Sequence, residues 1–216
     1  MKYLILIFCF PVLLGTLKAQ VADVNLNDFI KETQVLERIN DRNLLVWWIP
    51  TSYWTIATKN TAVSPSAVKM IENTFGNYVL FCLVDYKTSG SQFTFRDEKT
   101  LRTLSTLFCG VQSLKPLPES EYDETMRLFM SQFKPMFSNL LGQMGEGMTF
   151  LLFKKLDNCS IDENKKSDFS FQYAGKKISF VTPLACLLPP QNCPIDGQKM
   201  AGNWEYCPFH GTKLKQ

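Results

Sequence analysis

Apolar positions along this chain follow two spacings, one helical and one extended, and they alternate without a fixed repeat. Leu26, Phe29, Ile30, Thr33 and Leu36 fall on one helical face. Asn25 can cap them, with Asp28 three places later, so the pattern predicts a helix over 25–40. "LLVWWI" (44–49) predicts a strand closed by Pro50. Ser64-Pro65 opens a second helix with a cap and a first-turn proline, and Val68, Ile71 and Phe75 form its stripe before Gly76. "YVLFCLVDY" (78–86) and "SQFTF" (91–95) predict a hairpin across "KTSG". Leu101, Leu104 and Phe108 predict a short helix ahead of Cys109-Gly110.

The longest stripe follows: Met126, Phe129, Met130, Phe133, Phe137, Leu140, Leu141 and Met144. Ser120 and Asp123 stand at the spacing of a capping box before it. Pro135 lies inside the stripe and predicts a kink or two abutting helices, and Gly142, Gly145 and Gly147 end it. "MTFLLF" (148–153) predicts a buried strand, and "DFSFQYAGKKISFV" (168–181) a hairpin about Ala174-Gly175. The mixture lacks the strand–helix alternation of a doubly wound fold. The fold class expected is α+β: a mostly antiparallel sheet with packed helices, plus a small C-terminal appendage.

The N-terminus changes the picture of where the chain works. Lys2 precedes an apolar run from Tyr3 to Leu14, too short to span a bilayer and followed by small and polar residues. The pattern is that of a secretory signal peptide over 1–20, with the mature start between Gln20 and Asp23 and a secreted or periplasmic destination. Its "KAQ" ending resembles bacterial export signals. No later stretch is apolar for the roughly 18 residues a membrane helix needs. The expected domains are a globular unit over 21–186, then a proline linker and tail over 187–216 that begins with "LLPPQN" (187–192).

A 45% hydrophobic content with seventeen phenylalanines implies a sizeable core. A net charge of +3, with no basic run longer than "KK", argues against nucleic acid. Beyond the leader stand Cys82, Cys109, Cys159, Cys186, Cys193 and Cys207, an even set whose pairing the sequence does not decide.

The candidate chemistry sits in the tail, with the chain's single histidine. Cys193-Pro-Ile-Asp196-Gly and Cys207-Pro-Phe-His210-Gly are two C-P-x-x-G segments separated by nine residues. They resemble the knuckles of a zinc ribbon across residues 193–214, with the second ligand of each knuckle replaced by Asp196 and by His210. The resemblance implies a structural zinc held by Cys193, Asp196, Cys207 and His210. Two alternatives stay open. One is a Cys193–Cys207 disulfide, worth about 3 kcal/mol for a loop of that size. In the other the cysteines are packed, or paired with Cys186 or Cys159.

"VWWIPTSYW" gathers Trp47, Trp48, Tyr53 and Trp54. These could form an aromatic platform for a carbohydrate or an apolar protein partner. Adjacent tryptophans on a strand point to opposite faces, so burial of all four requires both faces to be covered. Catalytic signals are sparse. There is no G-x-S-x-G elbow, no P-loop and no dinucleotide fingerprint, and any histidine-based triad must use His210. The expected function is an exported, non-catalytic binding or assembly protein; the competing expectation is a hydrolase-like envelope enzyme with a dispersed site.

Overall fold

The unbroken apolar runs at 44–49 and 78–86 become inner strands of a sheet that is covered on both faces. The computed structural model describes residues 24–214 except Asn158, so the expected leader over 1–20 lies outside the described residues. The first half of the chain forms α1 (Leu26–Thr33), β1 (Gln34–Ile39), β2 (Arg42–Ile49), α2 (Ser52–Thr58), α3 (Pro65–Phe75), β3 (Tyr78–Ser89) and β4 (Gln92–Phe95). Next come α4 (Glu98–Leu104), β5 (Ser105–Cys109), β6 (Gln112–Leu114), α5 (Glu124–Leu141) and α6 (Gln143–Glu146). The chain ends with β7 (Thr149–Lys154), β8 (Phe169–Tyr173), β9 (Lys176–Ser179), β10 (Gln191–Asn192) and β11 (Lys199–Met200). The fold is α+β, as its sequence pattern predicts.

One sheet runs β1-β2-β3-β4, and β7 joins β3 off that path. β2 occupies one edge of β3, from Asn43↔Tyr86 to Ile49↔Leu80. The other edge is shared: β7 lies opposite Tyr78–Leu83 and β4 opposite Tyr86–Ser89. The second sheet is β6-β5-β8-β9. Every pairing within these two sheets is antiparallel.

The two-residue alternation of strands sorts the first sheet into two cores. Leu44, Val46, Trp48, Phe81, Leu83, Leu151 and Phe153 face the second sheet and meet Leu107, Phe169, Phe171 and Tyr173. The ring centroids of Trp48 and Phe169 lie 4.8 Å apart, and those of Phe81 and Phe171 4.7 Å. Leu45, Trp47, Leu80, Cys82, Val84, Phe150 and Leu152 face the helices, against Trp54, Phe75, Met126, Phe133 and Phe137. Three layers result: helices, central sheet, second sheet. Double burial is why these strands lack the polar alternation of a half-exposed sheet.

Several elements differ from expectation. The helix predicted over 25–40 stops at Thr33, and 34–39 is an edge strand paired with β2 from Gln34↔Trp47 to Ile39↔Arg42. Asn40, at φ +55°, turns that hairpin in a left-handed conformation that asparagine tolerates. α4 ends at Leu104, and Phe108 lies in β5, not in a helix. α2 carries no sequence signal beyond its aromatics. α5 is capped by Asp123, which accepts from the Met126 N–H at 2.8 Å, and not by Ser120.

Pro135 sits within α5, and the helix is continuous from Glu124 to Leu141. The proline is exposed, so the carbonyl it leaves unbonded faces water. Gly145 is fixed by close approach: a Cβ there would lie 2.0 Å from the Phe137 carbonyl oxygen, because α6 folds back on α5.

A disulfide joins Cys109 at the end of β5 to Cys159 in the loop after β7. Cys82 is fully buried in the helix-facing core, and its thiol is raised well above the ordinary range by burial. It is an apolar packing residue there. Cys186, half-buried, is pushed up to about 12, first by burial and then by Glu32. The Glu32 carboxylate accepts from the backbone N–H groups of Ala185 and Cys186, at 2.5 and 2.9 Å, and fastens α1 to the segment before the tail.

Candidate metal centre

The tail builds two copies of one backbone turn. Cys193 N–H donates to the Gln198 carbonyl at 2.8 Å, and Gly197 N–H donates to the Cys193 carbonyl at 2.9 Å. In the second copy Cys207 N–H donates to Thr212 at 2.8 Å, and Gly211 N–H to Cys207 at 2.8 Å. Gly197 and Gly211 both adopt positive φ, +73° and +64°, which closes each turn without a Cβ clash. The first turn is carried by β10 and β11, with Asn192↔Lys199 beside it; the second is flanked by the Tyr206↔Lys213 bridge. Cys193, Met200, Cys207 and Leu214 pack together as a small core, one cysteine and one apolar residue from equivalent places in each copy.

Stacking the two turns brings their side chains to one point. His210 Nδ1 lies 3.3 Å from Cys193 Sγ and 3.6 Å from Cys207 Sγ. The three ligand atoms all lie within 4.8 Å of one another, an arrangement compatible with a metal site. Both cysteines are buried and His210 opens to solvent. Burial raises the Cys207 thiol, but donors outweigh it and hold the thiol below its usual value. Those donors are the backbone N–H groups of Phe209 and His210 and the His210 and Cys193 side chains.

Asp196 stands at the margin. Its Oδ1 accepts from the Gln198 N–H at 3.0 Å, and its Oδ2 is 3.9 Å from His210 Nδ1. The Gln198 N–H, then Cys193 and His210, hold its carboxyl below the usual range. Asp196 is outside the three-residue group, yet it borders it.

The aromatic residues fall elsewhere. Trp47, Trp48 and Trp54 are 3, 2 and 6% exposed, and Tyr53 is half-buried between Trp47 and Trp54. Their faces are spent on the two cores, since both sides of β2 are covered. Asp97 caps α4 through the Thr100 N–H, while Glu98 and Glu119 both bind Arg102. Arg102 forms one wall of a cleft of about 210 Å³ that Tyr122 and Lys134 also line.

A group that sequence reasoning missed lies in the central layer. Asp85, buried on β3, is bound by Arg42, Arg96 and Tyr173. Its only sequence signal is a charged residue closing an otherwise apolar strand.

Among the described residues, no helix is long and apolar enough to cross a membrane. No family model, no curated protein and no solved structure matches this chain.

Proposed function

We propose that the protein is an exported, non-catalytic binding or assembly protein whose tail is locked by a structural zinc ion. The observation that carries this reading is the convergence of Cys193, Cys207 and His210 from two backbone turns of the same form. Two thiolates and an imidazole are the donor set zinc favours. Ligand atoms about 2.0–2.3 Å from a tetrahedral zinc are about 3.5 Å apart for an N–S pair. The observed 3.3 and 3.6 Å bracket that spacing. Asp196 would complete the four by a small rotation, giving the zinc-ribbon-like set that the knuckle spacing implies. Four protein ligands leave no position for a reacting water, which favours a structural role.

Export is supported by the apolar N-terminal run and by the Cys109–Cys159 bridge, which an oxidising compartment favours. Metal ligation would keep Cys193 and Cys207 reduced there. A non-catalytic role is supported by the commitment of the single histidine to the thiol pair. The hydrolase-like reading would use the Arg102 cleft, but both of its carboxylates are already taken up by that arginine.

Elemental analysis of chain purified without chelator tests the centre. One zinc per chain is expected, with Cys193 and Cys207 silent to a thiol reagent until chelator is added. His210→Ala should release the metal while the main melting transition persists. Release of those thiols by reductant instead of chelator would mean a disulfide and would end the zinc reading.

A further inference from the structure

The second sheet turns one face to the core and leaves the other without a covering layer. Leu107, Cys109, Phe169, Phe171 and Ile178 point inward. Strand alternation therefore turns Phe108, Ser170, Gln172 and Lys177 outward, together with their cross-strand neighbours. Pairing lays these side chains in two rows. One runs Ser113, Phe108, Ser170, Ser179 across β6, β5, β8 and β9. The other runs Thr106, Gln172, Lys177 across β5, β8 and β9. Phe108 is the one apolar residue in either row, and it belongs to neither core. Its half-buried ring meets no other aromatic ring among the described residues.

Over this face lies a cleft of about 270 Å³, lined by Phe108, Gly110, Asp168, Ser170, Gln172 and Lys177. Ser170 is 4% exposed, and the inward Phe169 and Phe171 on either side turn its hydroxyl to the cleft. That hydroxyl has no hydrogen-bond partner among the described residues, where a group so enclosed normally has one. The side chains of Gln172, Asp168 and Lys177 are likewise unbonded among the described residues. The rim is held in place. Gly110 N–H donates to the Asp168 carbonyl at 3.0 Å, and the Cys109–Cys159 disulfide ties down the end of β5 beside Phe108. Groups positioned before a ligand arrives lose little freedom on binding it. The lining's one carboxylate and one ammonium cancel. Lys115, beyond the lining, is spent on the Thr106 hydroxyl and the Ser105 carbonyl, at 2.9 and 3.4 Å.

We propose that this cleft binds a neutral sugar ring, as one unit of an oligosaccharide. A pyranose has an apolar C–H face and a rim of hydroxyls, each donor and acceptor at once. Phe108 offers a flat apolar surface to the first. For the second, the lining holds an acceptor in Asp168, a donor in Lys177 and two-way groups in Ser170 and Gln172. Other occupants match it less well. An anion would meet Asp168 as well as Lys177. A peptide adding as a strand needs a free sheet edge, and β5 and β8 are inner strands. A wholly apolar ligand would strip water from the polar groups and bond none of them. The site uses nothing of the tail, so it does not rest on the metal reading.

Amide-resolved NMR titration of the full chain with cellobiose, maltose, lactose, mannobiose and chitobiose, at millimolar concentrations, tests the proposal. Saturable shifts with at least one sugar are expected at residues 106–110, 168–172 and 177, and the tightest binder identifies the ring. Phe108→Leu keeps an apolar side chain but removes the flat face, and should weaken binding about fivefold. Gln172→Ala, on the outer face and away from either core, should weaken it about threefold and guards against misfolding of the first variant. Zinc content of the same sample reports on the tail separately. Absence of saturable shifts with all of these sugars would overturn the proposal. So would shifts confined to the exposed Trp204 and Tyr206 of the tail, or wild-type affinity in either variant.

Discussion

Phe133→Ala measures how firmly the helical layer is held to the central sheet. Phe133 is 4% exposed and lies 5.3 Å from Trp54, 5.7 Å from Phe75 and 5.3 Å from Phe150, ring to ring. It thus joins α5 to α2, α3 and β7. A buried phenylalanine removes about 150 Å² from water, worth roughly 4 kcal/mol at about 25 cal/mol per Å². Truncation also leaves a cavity among rings that are themselves packed on a sheet and cannot close in. A loss of about 3–5 kcal/mol is expected, the range for aromatic-to-alanine changes in cores. Leu141 is the control, because it shares the sequence stripe and the helix but is 50% exposed. Leu141→Ala should cost less than about 1 kcal/mol. Urea titration of the full chain, followed by tryptophan fluorescence and checked for an unchanged slope, reads both. A loss below 1 kcal/mol for Phe133→Ala, or equal losses for the two variants, would refute the assignment of this face to the core.

Asp85→Asn should cost about 3 kcal/mol at pH 7, since it keeps the side chain's shape but strips two arginines of their counter-charge. The Asp85 carboxyl is held below its unfolded value, so its contribution is complete above about pH 4 and is lost as pH falls through the lowered value. The stability gap between wild type and variant should therefore narrow below about pH 4 in parallel denaturant titrations; a constant gap would refute the pairing. Replacing both Cys109 and Cys159 by alanine should cost about 4 kcal/mol, from a sequence separation of 50 in the chain-entropy relation. An unchanged thermal midpoint would mean that the bridge does not form in the folded protein.

The parts of this fold legible in the sequence are those whose cause is local. Ser64 and Pro65 set the start of α3, and Ala174-Gly175, both at positive φ, set the β8–β9 turn. The grouping of Cys193, Cys207 and His210 is legible for the same reason, because two short turns with a cysteine at the same place bring their side chains together. β1 is not legible, since Leu36 fits the helical stripe by spacing and yet is 75% exposed on a strand. What makes that segment a strand is pairing with β2, which no window of spacing contains. The double burial of Trp47 and Trp48 likewise depends on layers supplied by distant segments. The Asp85 group is the extreme case. Arg42, Asp85, Arg96 and Tyr173 come from three strands and the segment after a fourth, and only the charged end of "YVLFCLVDY" hints at it.

The divided edge of β3 imposes an order of assembly. β4 follows β3 directly and can zip onto its far half as a hairpin, a short loop closed early. The near half, Tyr78–Leu83, waits for β7, which leaves the ribosome only after α4, β5, β6, α5 and α6. Until then the nascent chain carries a vacant berth: unpaired backbone groups beside some of the most apolar side chains in the molecule, an open template for any other extended segment. Closing it pairs residues far apart in sequence, a slow step for a chain of this topology. A transcript cut short before Thr149 would thus yield not a smaller version of this protein but a self-adhesive one.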